Sequence, residues 1–247
     1  MGHIAPSSAC ALVEKGLVLG IKPNPDSREA PCDSCLYTSA TQKPVSKACV
    51  GPQLEHFGEE VHTDVWGPSL VSSKCGCQYF ITFTDDATQY TVTYLLHTKA
   101  EALNAYRCFE AWAMAQQHCQ AIKVLYSDRG GEYLSDAFDK HLAAVGTARH
   151  LTVHDMPQLN GVAKHLNHTC LERICAFTHD SGLPKYLWGE ALWHATWLKN
   201  HMATCTLDRL TPYQALFGCT PDLAGLRPWG VKVLVHDADG TKLDACT

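Results

Sequence analysis

Three short runs of β-branched, aromatic and alternating residues open the middle of this chain: Val61 to Trp66, Tyr79 to Thr84 and Tyr90 to Leu96. The first is stopped by Gly67-Pro68, and a turn at Asp85-Asp86 divides the second from the third. Together they predict a three-stranded antiparallel meander. A helical period follows over residues 99–118, with Leu103, Tyr106, Phe109 and Ala113 on one face. Ile122 to Tyr126 predicts a short buried strand ending at Ser127-Asp128. A helix over 135–145 should stop at Gly146, which tolerates the left-handed turn that closes helices. Arg149 to Val153 predicts the last strand. A long helix is expected from Gly161 to Ser181, with Val162, Leu166, Cys170, Ile174 and Phe177 as its apolar stripe. Another is expected from Pro184 to His201, with Leu187, Ala191, Ala195 and Leu198 on one face.

Three strands, then helix, strand, helix, strand, helix is the element order of an RNase H-like fold. The expected class is therefore α/β: a mixed five-stranded sheet flanked by helices. The N-terminal region reads differently. A short helix is expected over Ala9 to Val18, after which Pro23, Pro25 and Pro31 break regularity. Residues 1–50 form a loop-rich appendage, 39–60 lead into the core, 58–225 form the core, and 226–247 open a C-terminal region. The expectation is of a piece truncated at both ends.

Bulk properties narrow the picture. A chain of 247 residues can bury one sizeable core and carry a small appendage. No stretch of eighteen or more apolar residues is present, so no membrane span is expected. The first residues lack the basic-then-apolar pattern of a secretory signal. The 13 cysteines are scattered and odd in number, which favours free thiols in a reducing compartment over a disulfide scaffold. A net charge of −5, with no run of basic residues, argues against tight, independent binding to DNA, because phosphate contacts draw on a basic face.

Candidate chemistry rests on Asp64, Asp128 and Lys164. In the expected topology the strand of Asp64 lies beside the strand that ends at Asp128. Two carboxylates brought together repel unless a cation lies between them. Mg²⁺ or Mn²⁺ prefers such oxygen ligands, and a metal pair can activate a nucleophile and stabilise a leaving oxygen in phosphoryl transfer. A third acid at position 164, separated from Asp128 by thirty-five residues, would complete the spacing of metal-dependent DNA strand transferases. Position 164 lies about 200° around its helix from Val162, away from the apolar stripe. It holds lysine, which cannot ligate a metal while protonated. Each acid alone would read as a turn or cap residue, as Asp85, Asp86 and Glu132 are expected to be.

These segments resemble the integrase of copia-type LTR retrotransposons. The matching stretches are His62-Thr63-Asp64-Val65-Trp66-Gly67-Pro68, Phe80 to Asp86, Ser127 to Tyr133, Pro157 to Thr169 and Leu187 to Ala191, with Thr211-Pro212-Tyr213 and Pro228-Trp229-Gly230 further on. The resemblance implies an RNase H-like catalytic core that joins element ends to target DNA using Mg²⁺ or Mn²⁺. It assigns Asp64 and Asp128 to the first two catalytic and metal-binding acids. Lys164 falls where the family has glutamate, and His165 and His168 fall where it has arginine. Gln158 and Asn160 match the loop before the catalytic helix, so Gln158, Asn160, His165 and His168 are the expected DNA-contacting set. The appendage resembles a small zinc domain, of which His3, Cys32 and Cys35 would supply three ligands; structural zinc wants four, so the site is incomplete.

The resemblance further implies DNA as partner, with RNA as a second candidate, homo-oligomerisation, and a nuclear location with a cytoplasmic particle stage. The expected function is that of an integrase core whose strand-transfer activity is lost or severely reduced, a pseudoenzyme. The alternative is a retained non-catalytic module that binds nucleic acid or other integrase subunits. The loss of Arg to His, and of Glu to Lys, matches single G-to-A codon changes, consistent with decay of an inactive element.

Overall fold

A computed structural model describes residues 6–20, 54–117, 121–151 and 157–233. Five strands form one sheet: β1 (Glu60–Trp66), β2 (Tyr79–Asp85), β3 (Thr91–Leu96), β4 (Val124–Ser127) and β5 (Ala148–Leu151). Their spatial order is β3-β2-β1-β4-β5. The first three strands pair antiparallel, and β1–β4 and β4–β5 pair parallel. The sheet is therefore mixed, as the element order predicts.

Six α-helices accompany it among the described residues: α1 (Pro6–Glu14), α2 (Ala102–Gln117), α3 (Asp136–Val145), α4 (Pro157–Ser181), α5 (Trp188–Asn200) and α6 (Pro212–Phe217). Side chains on a strand point to opposite faces in turn. Val61, Ile81, Phe83 and Leu125 therefore meet Tyr106, Phe109 and Ala113 of α2 and Phe138 and Leu142 of α3 in one core. On the other face Phe80 meets Leu166, Cys170, Ile174 and Phe177 of α4 and Ala191, Leu192, Ala195 and Leu198 of α5. Leu12 and Val18 pack on Leu223, so α1 rests against the segment after α6.

Several boundaries depart from expectation. The helix expected from 99 opens with a 3₁₀ turn, Lys99–Glu101, before α2. The helix expected from Pro184 likewise starts as a 3₁₀ turn, Lys185–Leu187, with Pro184 before it, and becomes α-helical only at Trp188. The long α4 begins at Pro157 rather than Gly161, because proline is tolerated in a first turn and packing of the later stripe outweighs the glycine. The appendage helix is Pro6–Glu14, shifted toward the N-terminus from the expected range. The short α6 was missed: its signal is Thr211, which accepts a hydrogen bond from the Gln214 N–H at 3.0 Å, followed by Pro212 at the first turn.

Two glycines are required where they stand. Gly146 closes α3 at φ 77°, the left-handed position expected of it. Gly189 lies where α5 crosses the sheet; a Cβ there would come within 2.7 Å of Leu95. That close approach lets Asn200, at the end of α5, reach β3. Its amide accepts from the Thr91 N–H at 2.9 Å and donates to the Thr91 carbonyl at 2.7 Å. Both pairs are buried, so truncation strands two backbone groups away from water. Asn200→Ala should cost about 2–4 kcal/mol in urea unfolding; a loss under about 0.5 kcal/mol would show that these bonds do not hold α5 to the sheet.

Candidate active site

The two candidate acids meet on one face of the sheet. The parallel register pairs His62 with Tyr126. Carried two residues further, that register brings Asp64 of β1 alongside Asp128, which directly follows β4. Both side chains then point to the face that α4 covers. Asp64 is 8% exposed. Its Oδ2 accepts a 2.8 Å hydrogen bond from Asn167 Nδ2 on α4. Thr82, opposite Asp64 on β2, donates to Asn167 Oδ1 at 3.1 Å and so fixes which way that amide faces.

Burial, and then the nearby Asp128 carboxylate, push the Asp64 carboxyl up to about 6. The Lys164 ammonium and the Asn167 hydrogen bond pull the other way, and Glu132 adds a weaker push upward. Lys164 is exposed on α4, yet its charge is felt at Asp64. The structure thus brings Asp64, Asp128 and Lys164 into one electrostatic group. Asp128 Oδ1 also accepts from the Gly130 N–H at 2.9 Å, which turns the chain sharply after β4.

Glu132 is more than the turn residue expected. Its side chain is only 8% exposed, lies 3.4 Å from Lys99 Nζ, and acts on Asp64. Its carboxylate packs over Gly130, where a Cβ would meet it at 2.6 Å. Asn167 and Thr82 were not singled out from the sequence either. Asn167 had a usable signal: it lies three residues after position 164, on the same side of one helix. Thr82 had none short of the strand register. Behind the acids, the Tyr133 hydroxyl and Thr63 Oγ1 share a 3.0 Å hydrogen bond in the opposite core. Burial raises the Tyr133 phenol well above its ordinary value.

The remaining expected contacts are less gathered. His165 and His168 are exposed on α4, and His168 lies 3.3 Å from Glu172, one turn on. Gln158 and Asn160 fall in the first turn of α4, with side chains outside the described residues. His3, Cys32 and Cys35 also lie outside the described residues.

Comparison with protein-family models gives no match. The chain is 31% identical over 246 residues to the retrovirus-related Pol polyprotein from transposon TNT 1-94 of Nicotiana tabacum, a match that spans 99% of this chain and 18% of that protein. It is 25% identical over 232 residues to the retrovirus-related Pol polyprotein from transposon RE1 of Arabidopsis thaliana, covering 93% of this chain and 15% of that one. Among solved structures, a chain of the simian T-cell lymphotropic virus intasome, determined in complex with PP2A regulatory subunit B56 gamma, superposes with TM-score 0.53. That likeness covers 80% of this chain and 66% of the other at 16% identity, and it speaks for the fold. The chain is an integrase-like retrotransposon protein. It spans under a fifth of the length of the polyproteins it matches.

In this integrase-like core the charged form of Asp64 is costly. A folded-state value near 6, above the ordinary 3.8, means that the native state holds the Asp64 proton more tightly than the unfolded chain does. Stability from that proton is full below the unfolded value and is lost as pH rises through about 6. Asp64→Asn should therefore gain on wild type as pH rises. In EDTA, the advantage should grow by about 1–1.5 kcal/mol between about pH 5 and about pH 7.5. A stability difference that is flat with pH would refute this picture of Asp64.

Proposed function

We propose that this chain is an integrase core that binds nucleic acid and holds divalent metal only weakly, with strand transfer lost or strongly reduced. The observation that carries this reading is the Lys164 charge acting on Asp64, at the face where Asp64 and Asp128 converge. Two neighbouring carboxylates, with Asp64 held toward its protonated form by burial and by Asp128, are a fitting cradle for Mg²⁺ or Mn²⁺. Asp64 and Asp128 would hold the ion, and Asn167 would keep the Asp64 carboxylate turned. When bound, such metals supply activation of a hydroxyl nucleophile and charge stabilisation of the leaving oxygen.

Lys164 works against that cradle in two ways. It contributes no ligand, and its ammonium already neutralises part of the charge that would attract the ion. The site therefore stands half-built: two acids and a fixed amide on one side, a cation of the protein's own on the other. Glu132 does not make good the loss as it stands, because Lys99 engages its carboxylate.

The nucleic-acid part of the proposal draws on the exposed row Lys164, His165 and His168 along α4 beside the acids. Histidine attracts phosphate less strongly than arginine at neutral pH, in keeping with the net charge of −5. DNA ends and target DNA are the proposed partners, with self-association as the form in which an integrase core would grip both.

Lys164→Glu is the decisive variant. Mn²⁺ affinity at the core should rise at least about tenfold, since a ligand replaces a repelling charge. Joining of a short DNA duplex carrying element ends should appear, or rise from background, in the variant alone. Equal joining by the unmodified chain would overturn the claim of a disabled site. Unchanged Mn²⁺ affinity would remove Lys164 as its cause.

A further inference from the structure

A second cluster of metal-ligating side chains lies on the same sheet face, outside the acids described above. Glu60, His62 and Asp86 can each offer one ligand atom such that all three lie within 4.8 Å of one another. Among the described residues this is the only such group. Glu60 and His62 are alternate residues of β1, so their side chains share one face. Asp86 follows directly after β2, and its N–H donates to the Glu60 carbonyl at 2.9 Å. The three backbones are thus held together by the sheet itself.

The imidazole is the informative member. His62 is 7% exposed, and its ring is stacked on Tyr126 at 5.0 Å between centroids and 24° between planes. The Tyr126 hydroxyl is itself 3.1 Å from His150 Nδ1 on the neighbouring strand, so the ring on which His62 rests is anchored in turn. His62 Nε2 faces Asp86 Oδ1 at 3.7 Å. That gap is too long for a hydrogen bond.

The same gap is the right span for two ligands of one ion. A cation about 2.1 Å from both atoms would see them at an angle of about 120°, close to the tetrahedral range. Glu60 is half-buried, and its ligand atom lies within 4.8 Å of the other two, near the span of about 4.2 Å that two bonds of about 2.1 Å to one ion allow. Among the described residues no lysine or arginine forms an ion pair with Glu60 or Asp86. Gln89 Nε2, 3.4 Å from Asp86 Oδ1, is a neutral contact.

We propose that Glu60, His62 and Asp86 form a second divalent-cation site, selective for imidazole-accepting first-row ions such as Mn²⁺ or Zn²⁺ over Mg²⁺. One nitrogen and two carboxylates with solvent-facing positions left open is the ligand set such ions take, whereas Mg²⁺ favours oxygen alone. The ion would clamp the start of β1 to the turn after β2. The site does not rest on the acids at 64 and 128, and it needs no catalytic activity.

Mn²⁺ is the probe of choice, because the many thiols of this chain compete for it poorly. Free Mn²⁺ is counted by EPR during titration of the full chain, and pulsed EPR reads nitrogen coupling to the bound ion. Wild type should bind one Mn²⁺ with a histidine-nitrogen signature that persists in about a hundredfold excess of Mg²⁺. His62→Gln should abolish the signature and Asp86→Asn should weaken that ion at least about tenfold; circular dichroism of each variant shows whether it folds. Asp128→Asn should leave the ion in place, which separates this site from the proposed active site. No nitrogen-coupled Mn²⁺ in wild type would overturn the proposal. So would its survival in folded His62→Gln, or its loss in Asp128→Asn.

Discussion

The parallel pairing of β1 with β4 governs this molecule, because it sets two carboxylates side by side and leaves the buried one, Asp64, reluctant to be charged. Strand ends that point the same way deliver their side chains to the same place. Asp64 and Asp128 arrive there by register alone, before any helix is packed. Everything around them then reads as compensation. Asn167 reaches down from α4 to donate a hydrogen bond, Thr82 holds Asn167, and Lys164 contributes charge from the rim. Burial of Asp64 between β1 and α4 keeps most water from it, which raises the cost of its charge.

That compensation bears on the proposed reading of the site. Copia-type integrases, which the chain resembles, carry an acid at position 164, and a third acid there would add to the repulsion around Asp64. Lysine at that position instead lowers the cost of charging Asp64. On the proposed reading, stability and metal affinity pull in opposite directions at one position.

Much of this was legible from residue patterns, and for identifiable reasons. β-branched runs bounded by Gly67-Pro68 and by acidic turns mark strands whatever their partners, and the 3.6-residue stripes of α2, α4 and α5 follow from the need to bury one face. Asp64, Asp128 and Lys164 stood out by spacing. What was hidden depends on partners distant in sequence. The 3.7 Å gap between His62 and Asp86 exists only once β1 and β2 pair, and Glu132 turns toward Asp64 only because the chain bends at Gly130. Local helix starts were also misplaced, since 3₁₀ and α turns share the same residues and packing chooses between them.

The clasp of Asn200 on Thr91 has a consequence beyond stability. β3 is an outermost strand, and outermost strands expose hydrogen-bonding groups that recruit foreign backbone. Here the amide of Asn200 imitates a sixth strand for one residue, and Lys199 occupies the Gln89 carbonyl just before it. The sheet is thereby sealed where β3 begins. A chain meeting the sheet at that point finds side chains instead of a template, so the start of β3 offers no place to lengthen the sheet.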